Sequence, residues 1–344
     1  MLGFKATAMN AISNCTILIP THNRPGYLSR CVRWFSDFGC PIVIADSSVS
    51  PSCGGLQSDN ITHVHCPGGF EVYPRKLQLA MRQVTTPLVA MCADDDFIAK
   101  EGLKASASFL ERNSDYAFSQ GYAYLYQTFR HRIALWPMVY PYHDNVSERW
   151  IERIVNAKST VYYGVNRTDI LRSAVDFVAK QDFAEIIEGF AGFVDTAITM
   201  HVARAGKFKR CAVPFAFREY SVNVNAVGRR FGTIVSRNTS DFYRNLLASL
   251  TGDDQDPDVR QQLLRLFAAD YAGQITFDLA ASVSRKVRLQ KLPPSLLQSA
   301  EYLFRIFAAA RLYGKPEYRE FLKTFSTADY RRFRNFVTES GSAI

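Results

Sequence analysis

Between Cys15 and Asp96, short apolar runs alternate with amphipathic stretches, and most of the runs stop abruptly at a polar cluster. "CTILIPT" gives way to "HNRPG", after which Leu28, Cys31, Val32, Phe35 and Phe38 recur at helical spacing. "PIVIADSS" repeats the apolar-to-polar step, and "ITHVHCP" reads as a third strand. Leu77, Ala80, Met81 and Val84 mark one face of a further helix, and "PLVAMCADDD" is a fourth strand. Strands separated by helices of roughly ten or more residues predict an α/β fold, a Rossmann-like and mostly parallel sheet flanked by helices. Ligands of such sheets sit outside the carboxyl ends of the strands. "PTHNR", "ADSS" and "ADDD" are therefore expected to line one crevice and to serve one ligand.

Further along, "KEGLKASASFLERN" predicts a helix and "YAFSQGYAYLYQTF" an aromatic-rich strand. His131 to Tyr142 carries prolines and a tryptophan in close order without a period, and is expected to be an irregular loop. Ser147 is the expected N-cap of a helix beginning "ERWIERIV", "TVYYGVNR" leads into another helix, and Gly206 closes a third. From about residue 240 strand signals vanish. Leu246, Leu250, Leu263, Leu264, Leu266, Phe267, Leu303, Phe304, Phe307 and Phe321 mark amphipathic helices instead. The shift near Arg237 divides the chain into an α/β catalytic domain, residues 1–237, and a C-terminal α-helical region, residues 238–344.

A chain of 344 residues with 47% hydrophobic and 21% charged residues has enough apolar material for one large or two modest domains. No apolar run approaches the roughly 18 residues that span a bilayer, and "MLGFKATAMNAISNC" lacks the apolar core of a signal peptide. Seven cysteines without a CxxC pair fit a reducing compartment, so the expected location is the cytoplasm. Cys53, His63, His65 and Cys66 have zinc-binding atoms, but their spacing matches no common zinc site and they are read as buried thiols and strand histidines. The formal charge of +9 is concentrated late in the chain, with 12 Lys plus Arg against 5 Asp plus Glu in residues 281–344. That region has no nucleic-acid motif and its aromatics fall at core spacing, so nucleic acid is not expected as a partner. Its basic helices, "YRRFRNF" among them, are expected to contact the acceptor, a second copy in a homodimer, or an anionic membrane at the inner face of the cell.

Asp94, Asp95 and Asp96 are the sharpest chemical signal. Adjacent carboxylates at the end of a buried strand repel one another unless a cation joins them, and hard oxygen donors suit Mn2+ or Mg2+ held together with substrate phosphates.

"ILIPTHNRPGYLSRCV", "IVIADSS", "TTPLVAMCADDDFI" and "FVDTAITMHVARAGKFK" follow in the order and at about the spacing of family 2-like glycosyltransferases with the GT-A fold. The chain most resembles the bacterial subgroup in which ADSS stands where most relatives have DDGS. The resemblance covers residues 15 to about 235. It implies a metal-dependent, inverting transferase that moves a sugar from a nucleotide-sugar donor, with UDP as the base-rate nucleotide, to a glycan or lipid-linked acceptor in polysaccharide biosynthesis. Carried over residue by residue, it puts Pro20, Thr21 and Arg24 along the nucleoside and His22 where a tyrosine commonly stacks on the base. Asp46 would accept a hydrogen bond from the base, Asp94 would contact the ribose, Asp96 together with Asp94 would hold the cation, and Asp95 lies between them. Arg75 or Lys76 would reach a phosphate or the sugar. Asp195 would begin its helix and act as the base, with Glu185 and Glu188 as acidic neighbours in reserve; Val194 stands where the family usually has glutamate. In "NVNAVGRRFGTIVSRN", Arg229 or Arg230 would meet the diphosphate between the hinges Gly228 and Gly232.

Two other function classes share parts of this signal. A metal-dependent phosphoryl or nucleotidyl transferase also clusters carboxylates, but the chain has no GxxxxGK[ST] loop and no glycine-rich first turn. A non-catalytic scaffold on the same fold would have no use for an intact triple aspartate.

Overall fold

The computed structural model describes residues 11–52, 58–129, 132–137, 144–157, 161–181, 191–219, 237–252, 256–267 and 327–340. Its first half follows the alternation of the sequence. Strands β1 (Cys15–Thr21), β2 (Ile42–Asp46), β3 (Ile61–His65) and β4 (Leu88–Met91) are joined through helices α1 (Pro25–Phe35) and α2 (Tyr73–Met81). They pair in parallel in the order β3-β2-β1-β4. β1, β2 and β4 are buried along nearly their whole length, as continuous apolar strands covered on both faces must be. Pro25 sits in the first turn of α1, where its missing N–H costs nothing, and Leu28, Cys31, Val32, Trp34 and Phe35 turn to the core.

Beyond β4 the sheet becomes mixed. β5 (Phe97–Ile98), β6 (Tyr116–Phe129), β7 (Arg132–Pro137), β8 (Val165–Arg167) and β9 (Lys207–Glu219) complete the order β3-β2-β1-β4-β8-β6-β9-β5, with β7 paired to β6 off this path. β8 runs antiparallel to both β4 and β6, and β5 antiparallel to β9, while β6 and β9 are parallel. Helix α3 (Lys100–Arg112) lies against β9 so closely that a Cβ on Gly102 would stand 2.1 Å from the Pro214 carbonyl oxygen. Helices α4 (Trp150–Asn156), α5 (Thr168–Ala179) and α6 (Ala191–Ala205) complete the α/β body.

Several elements differ from the sequence reading. Residues 132–137, expected within a loop, form a strand because the long β6 offers a free edge; Pro137 is at the strand's last position, where a missing donor is tolerated. Ser147 does not cap α4. Its hydroxyl accepts the Arg149 N–H at 3.2 Å and donates to Glu152 at 2.6 Å, so it shapes the turn before the helix. Helix α6 already includes Ala191, which places Asp195 inside the helix and not at its start. β9 was not read as a strand at all.

All described residues after 237 outside loops are helical: α7 (Arg237–Thr251), α8 (257–267) and α9 (Ala328–Ser340). α9 is sewn onto the α/β body. Phe333 is fully buried, stacked on Phe217 at 4.1 Å between ring centroids and packed against Phe97 and Tyr126. Phe336 meets Trp34 and Phe97, and Arg332 lies 4.7 Å over Trp34 while pairing with Asp37. The aromatics of "YRRFRNF" are thus spent on the protein itself, leaving Arg331 and Arg334 exposed. Among the described residues no helix is long and apolar enough to cross a membrane.

Candidate functional site

The register of the parallel strands brings the polar ends together: Thr21 of β1 stands opposite Asp46 of β2, and Leu18 opposite Met91 of β4. Asp94 and Asp96 are almost wholly buried just past β4. The Thr21 hydroxyl donates to Asp94 at 2.7 Å, and Arg24 reaches across the crevice to grip Asp94 at 2.8 Å and Asp95 at 2.7 Å. The Arg24 guanidinium also lies 4.1 Å over the Tyr27 ring. Burial works against its charge, but Asp95 and Asp94 outweigh that and hold its pKa above the usual value.

Asp96 is held from the far side of the sheet. One carboxylate oxygen, Oδ1, accepts the Glu219 backbone N–H at 2.8 Å, and Oδ2 accepts the Tyr163 hydroxyl at 2.8 Å and faces Arg218 Nε at 3.4 Å. Glu219 in turn pairs with buried Arg30 and accepts the Tyr126 hydroxyl at 3.0 Å. Burial pushes the Asp94 carboxyl up to about 6, against the pull of Arg24. It pushes Asp96 up to about 7, helped by the charge of Asp95 and opposed by Arg218, Tyr163 and the Glu219 amide. Burial therefore outweighs the neighbouring cations at both carboxylates.

Asp195 joins the same neighbourhood through the buried 3-10 turn Val161–Tyr163. Tyr163 serves Asp96, while the adjacent Tyr162 donates to Asp195 and bonds the Tyr73 hydroxyl. Burial raises Asp195 to about 7, with Arg218 and Tyr162 pulling the other way. A helix N-terminus would have favoured its ionised form; burial gives the opposite shift, and a carboxylate near 7 is matched to taking up protons at neutral pH.

The remaining predicted residues form the walls. Pro20 is half-buried and His22 exposed; the His22 ring is held by the Ser47 carbonyl at 3.0 Å. Asp46 is fully buried, and its oxygens take the N–H groups of Ser48 and Ser52, both at 2.8 Å, and the His63 ring at 3.0 Å. These bonds outweigh burial and keep its pKa below the usual carboxylate range. The Lys76 ammonium is buried beneath the crevice, donating to the Thr21 carbonyl at 2.7 Å and Ser47 Oγ at 2.9 Å. Burial lowers its pKa to about 8, with Asp94 and Asp46 resisting. Lys76 thus ties β1 to the ADSS loop, and Arg75 is exposed. Glu185, Glu188, Arg229 and Arg230 lie outside the described residues, as does Cys53. The histidines considered for zinc are engaged elsewhere, His63 with Asp46 and His65 with the Ser48 carbonyl at 2.8 Å.

Arg218, Glu219, Tyr162 and Tyr163 were missed by sequence reasoning. "FAFRE" at the end of β9 repeats the apolar-to-polar step that marked the other strand ends, so reading β9 as a strand would have found the first two. The tyrosines carry no such signal.

No family model matches the chain, and no curated protein matches it. Solved structures do. Residues 1–349 of TarS from S. aureus in complex with UDP-GlcNAc share a TM-score of 0.52 and 15% identity over 80% of this chain and 76% of that one. The same TarS residues in another crystal structure give 0.50 and 14% over 95% and 89%. The chain spans 46% of the length of a longer TarS structure. The mannosyltransferase PcManGT from Pyrobaculum calidifontis, solved with GDP-Man and Mn2+, reaches only 0.45 at 12% identity over 96% and 86%, too distant to weigh. The two TarS likenesses at 0.50 and 0.52 establish the fold and leave the activity to the chemistry of the crevice.

Proposed function

We propose that the chain is a glycosyltransferase, of hexosyltransferase type, that binds a nucleoside-diphosphate sugar and passes the sugar with inversion to a hydroxyl of a glycan or lipid-linked acceptor. One arrangement carries the reading: the carboxylates of Asp94 and Asp96 are buried just past β4 beside Thr21 and Arg24, and the neighbouring Tyr163 and Tyr162 tie Asp96 and Asp195 to one turn. The fold shared with TarS, which is known with UDP-GlcNAc, supports a UDP-sugar as the first donor to try.

In this reading the nucleoside lies along Pro20, Thr21, His22 and Arg24. Asp94, braced by Thr21 and Arg24, meets the ribose. Asp46 spends its carboxylate on the ADSS loop, so its part is to shape the wall that the base meets. Asp195 takes the proton of the acceptor hydroxyl as that oxygen bonds to the anomeric carbon and the bond to the diphosphate breaks, which inverts the centre. Glu188 remains the reserve base and Arg229 a reserve contact to the diphosphate.

A divalent cation fits the donor set. Asp94, Asp95 and Asp96 stand side by side past the end of β4, and their oxygens are the hard ligands that Mn2+ or Mg2+ takes. Among the described residues no group of three or more acidic, histidine or cysteine side chains is poised for a metal. Asp96 and Asp94 would hold the ion. When bound, Mn2+ or Mg2+ supplies positive charge for the leaving diphosphate.

A thermal-shift screen of nucleotide sugars with Mn2+ tests the reading, because a ligand at a hundred times its dissociation constant stabilises by about 2.7 kcal/mol. One class of nucleotide sugar is expected to raise the melting temperature and to be consumed with an acceptor. A screen in which none stabilises the protein and none is consumed would overturn it.

A further inference from the structure

The buried 3-10 turn Val161–Tyr163 reaches two of the crevice's carboxylates from a base that involves neither of them. The Val161 N–H donates to Thr199 Oγ1 at 3.4 Å, and the Val161 carbonyl accepts the Asn166 side-chain amide at 3.1 Å. Thr199 lies four residues after Asp195 on α6, so the two share one face of that helix. Beyond Tyr163 the chain runs so close to Phe118 that a Cβ on Gly164 would stand 2.3 Å from its ring, and it then enters β8 between β4 and β6. The turn is thus tied to α6 on one side and to the sheet on the other.

From it two adjacent hydroxyls go separate ways. Tyr163 donates to Asp96 Oδ2 at 2.8 Å, and Tyr162 donates to Asp195. A phenol has one proton to give. With that of Tyr162 spent on Asp195, the bond between the Tyr162 and Tyr73 hydroxyls has Tyr73 as its donor, and a chain runs from Tyr73 at the start of α2 through Tyr162 to the carboxylate. Such a chain fixes the direction of the carboxylate and favours its ionised form. The groups acting on Asp195 are Arg218 from β9, Tyr162 from the turn and, behind it, Tyr73 from α2. Arg218 acts on Asp96 as well, whereas each tyrosine of the turn gives its hydroxyl proton to one of the two carboxylates. We propose that the turn is a divided mount: Tyr163 is a positioning residue for Asp96 and its cation, and Tyr162, oriented by Tyr73, is a positioning residue for the base Asp195. This rests on the nucleotide-sugar reading and adds to it the parts that keep cation and base in register.

Phenylalanine removes each hydroxyl and keeps the ring. Titration of the Asp195 carboxyl is followed by the infrared carboxyl band that each protein loses when Asp195→Asn is added to it, and nucleotide binding by calorimetric titration of UDP with Mn2+. Tyr162→Phe is expected to move that titration up by about one pH unit or more, the size of a hydrogen bond lost from a charged group, and to keep UDP affinity within about twofold. Tyr73→Phe is expected to move it the same way by less, and carries this arm of the test should Tyr162→Phe fail to fold. Tyr163→Phe is expected to weaken UDP binding with Mn2+ about tenfold, as the loss of a partner that orients a metal ligand does, and to leave the Asp195 titration in place. An unmoved titration in Tyr162→Phe and Tyr73→Phe, an equal shift in Tyr163→Phe, or unchanged UDP affinity in Tyr163→Phe overturns the divided mount. Wild-type protein that binds no UDP or other nucleoside diphosphate with Mn2+ removes the functional reading as well. Wild-type binding beside unaffected variants removes the tyrosines' roles alone.

Discussion

Asp195 shows how one residue's surroundings decide its chemistry. Its raised pKa, about 7 against an ordinary value of about 3.9, predicts a rate that climbs with pH through that range as the base ionises. Asp195→Asn should cut turnover by about 10²- to 10⁴-fold and abolish that limb of the profile while leaving UDP binding in place. Stability should move the other way. A carboxyl raised on folding contributes stability that is full below about pH 4 and is lost as pH rises through 7. Asp195→Asn is therefore expected to melt no lower than wild type at pH 8, and higher by up to about 1–3 kcal/mol, with the gain vanishing near pH 4. A variant that melts clearly lower at pH 8 contradicts the buried, raised carboxyl. The aspartates themselves were legible in the sequence because an apolar strand running into acids is a local signal. Arg218 and Tyr163 were not, since their meeting with Asp96 joins positions 122 and 67 residues apart and no local pattern encodes it.

At the scale of elements, the parallel half was readable because each strand and helix carries its own period. The mixed half was not, and its errors share a cause. β7 exists because β6 offers an edge, and β9 is a strand because it threads between β6 and β5. Neither pattern is settled by the segment's own residues. α9 is similar: its basic face was legible, but which side of the helix is buried depended on Phe97 and Phe217, elsewhere in the chain. Those contacts make Phe333 part of the core. Phe333→Ala is expected to cost about 3–5 kcal/mol in denaturant melts, whereas alanine at exposed Arg331 or Arg334 should stay within about 0.5 kcal/mol. Equal, small effects at all three positions would mean that α9 does not pack on the sheet in solution. Because Phe97 follows Asp96 and Phe217 precedes Arg218, a milder Phe333→Leu is also expected to weaken UDP binding more than its loss of stability alone explains, as measured by calorimetry far below the melting temperature.

Across the whole molecule, the chain folds one continuous sheet whose strand ends deliver Thr21, Asp46, Asp94 to Asp96, Arg218 and Glu219 to a common rim, with Asp195 brought in from α6. The core sets this geometry: buried parallel strands fix the register, and register fixes which polar ends meet. Charge then sets the ligand, since Asp94, Asp95 and Asp96 gather hard oxygen donors at that rim beside Arg24 and the half-buried Arg218. The most direct test is a calorimetric titration of UDP into the protein with Mn2+ and again with a chelator, repeated on Asp96→Asn, a change that keeps the side chain's shape and removes its charge. Binding with Mn2+ that disappears with the chelator and in Asp96→Asn is the predicted result; no binding of UDP or any other nucleoside diphosphate by the wild type, or equal binding by Asp96→Asn, would contradict it.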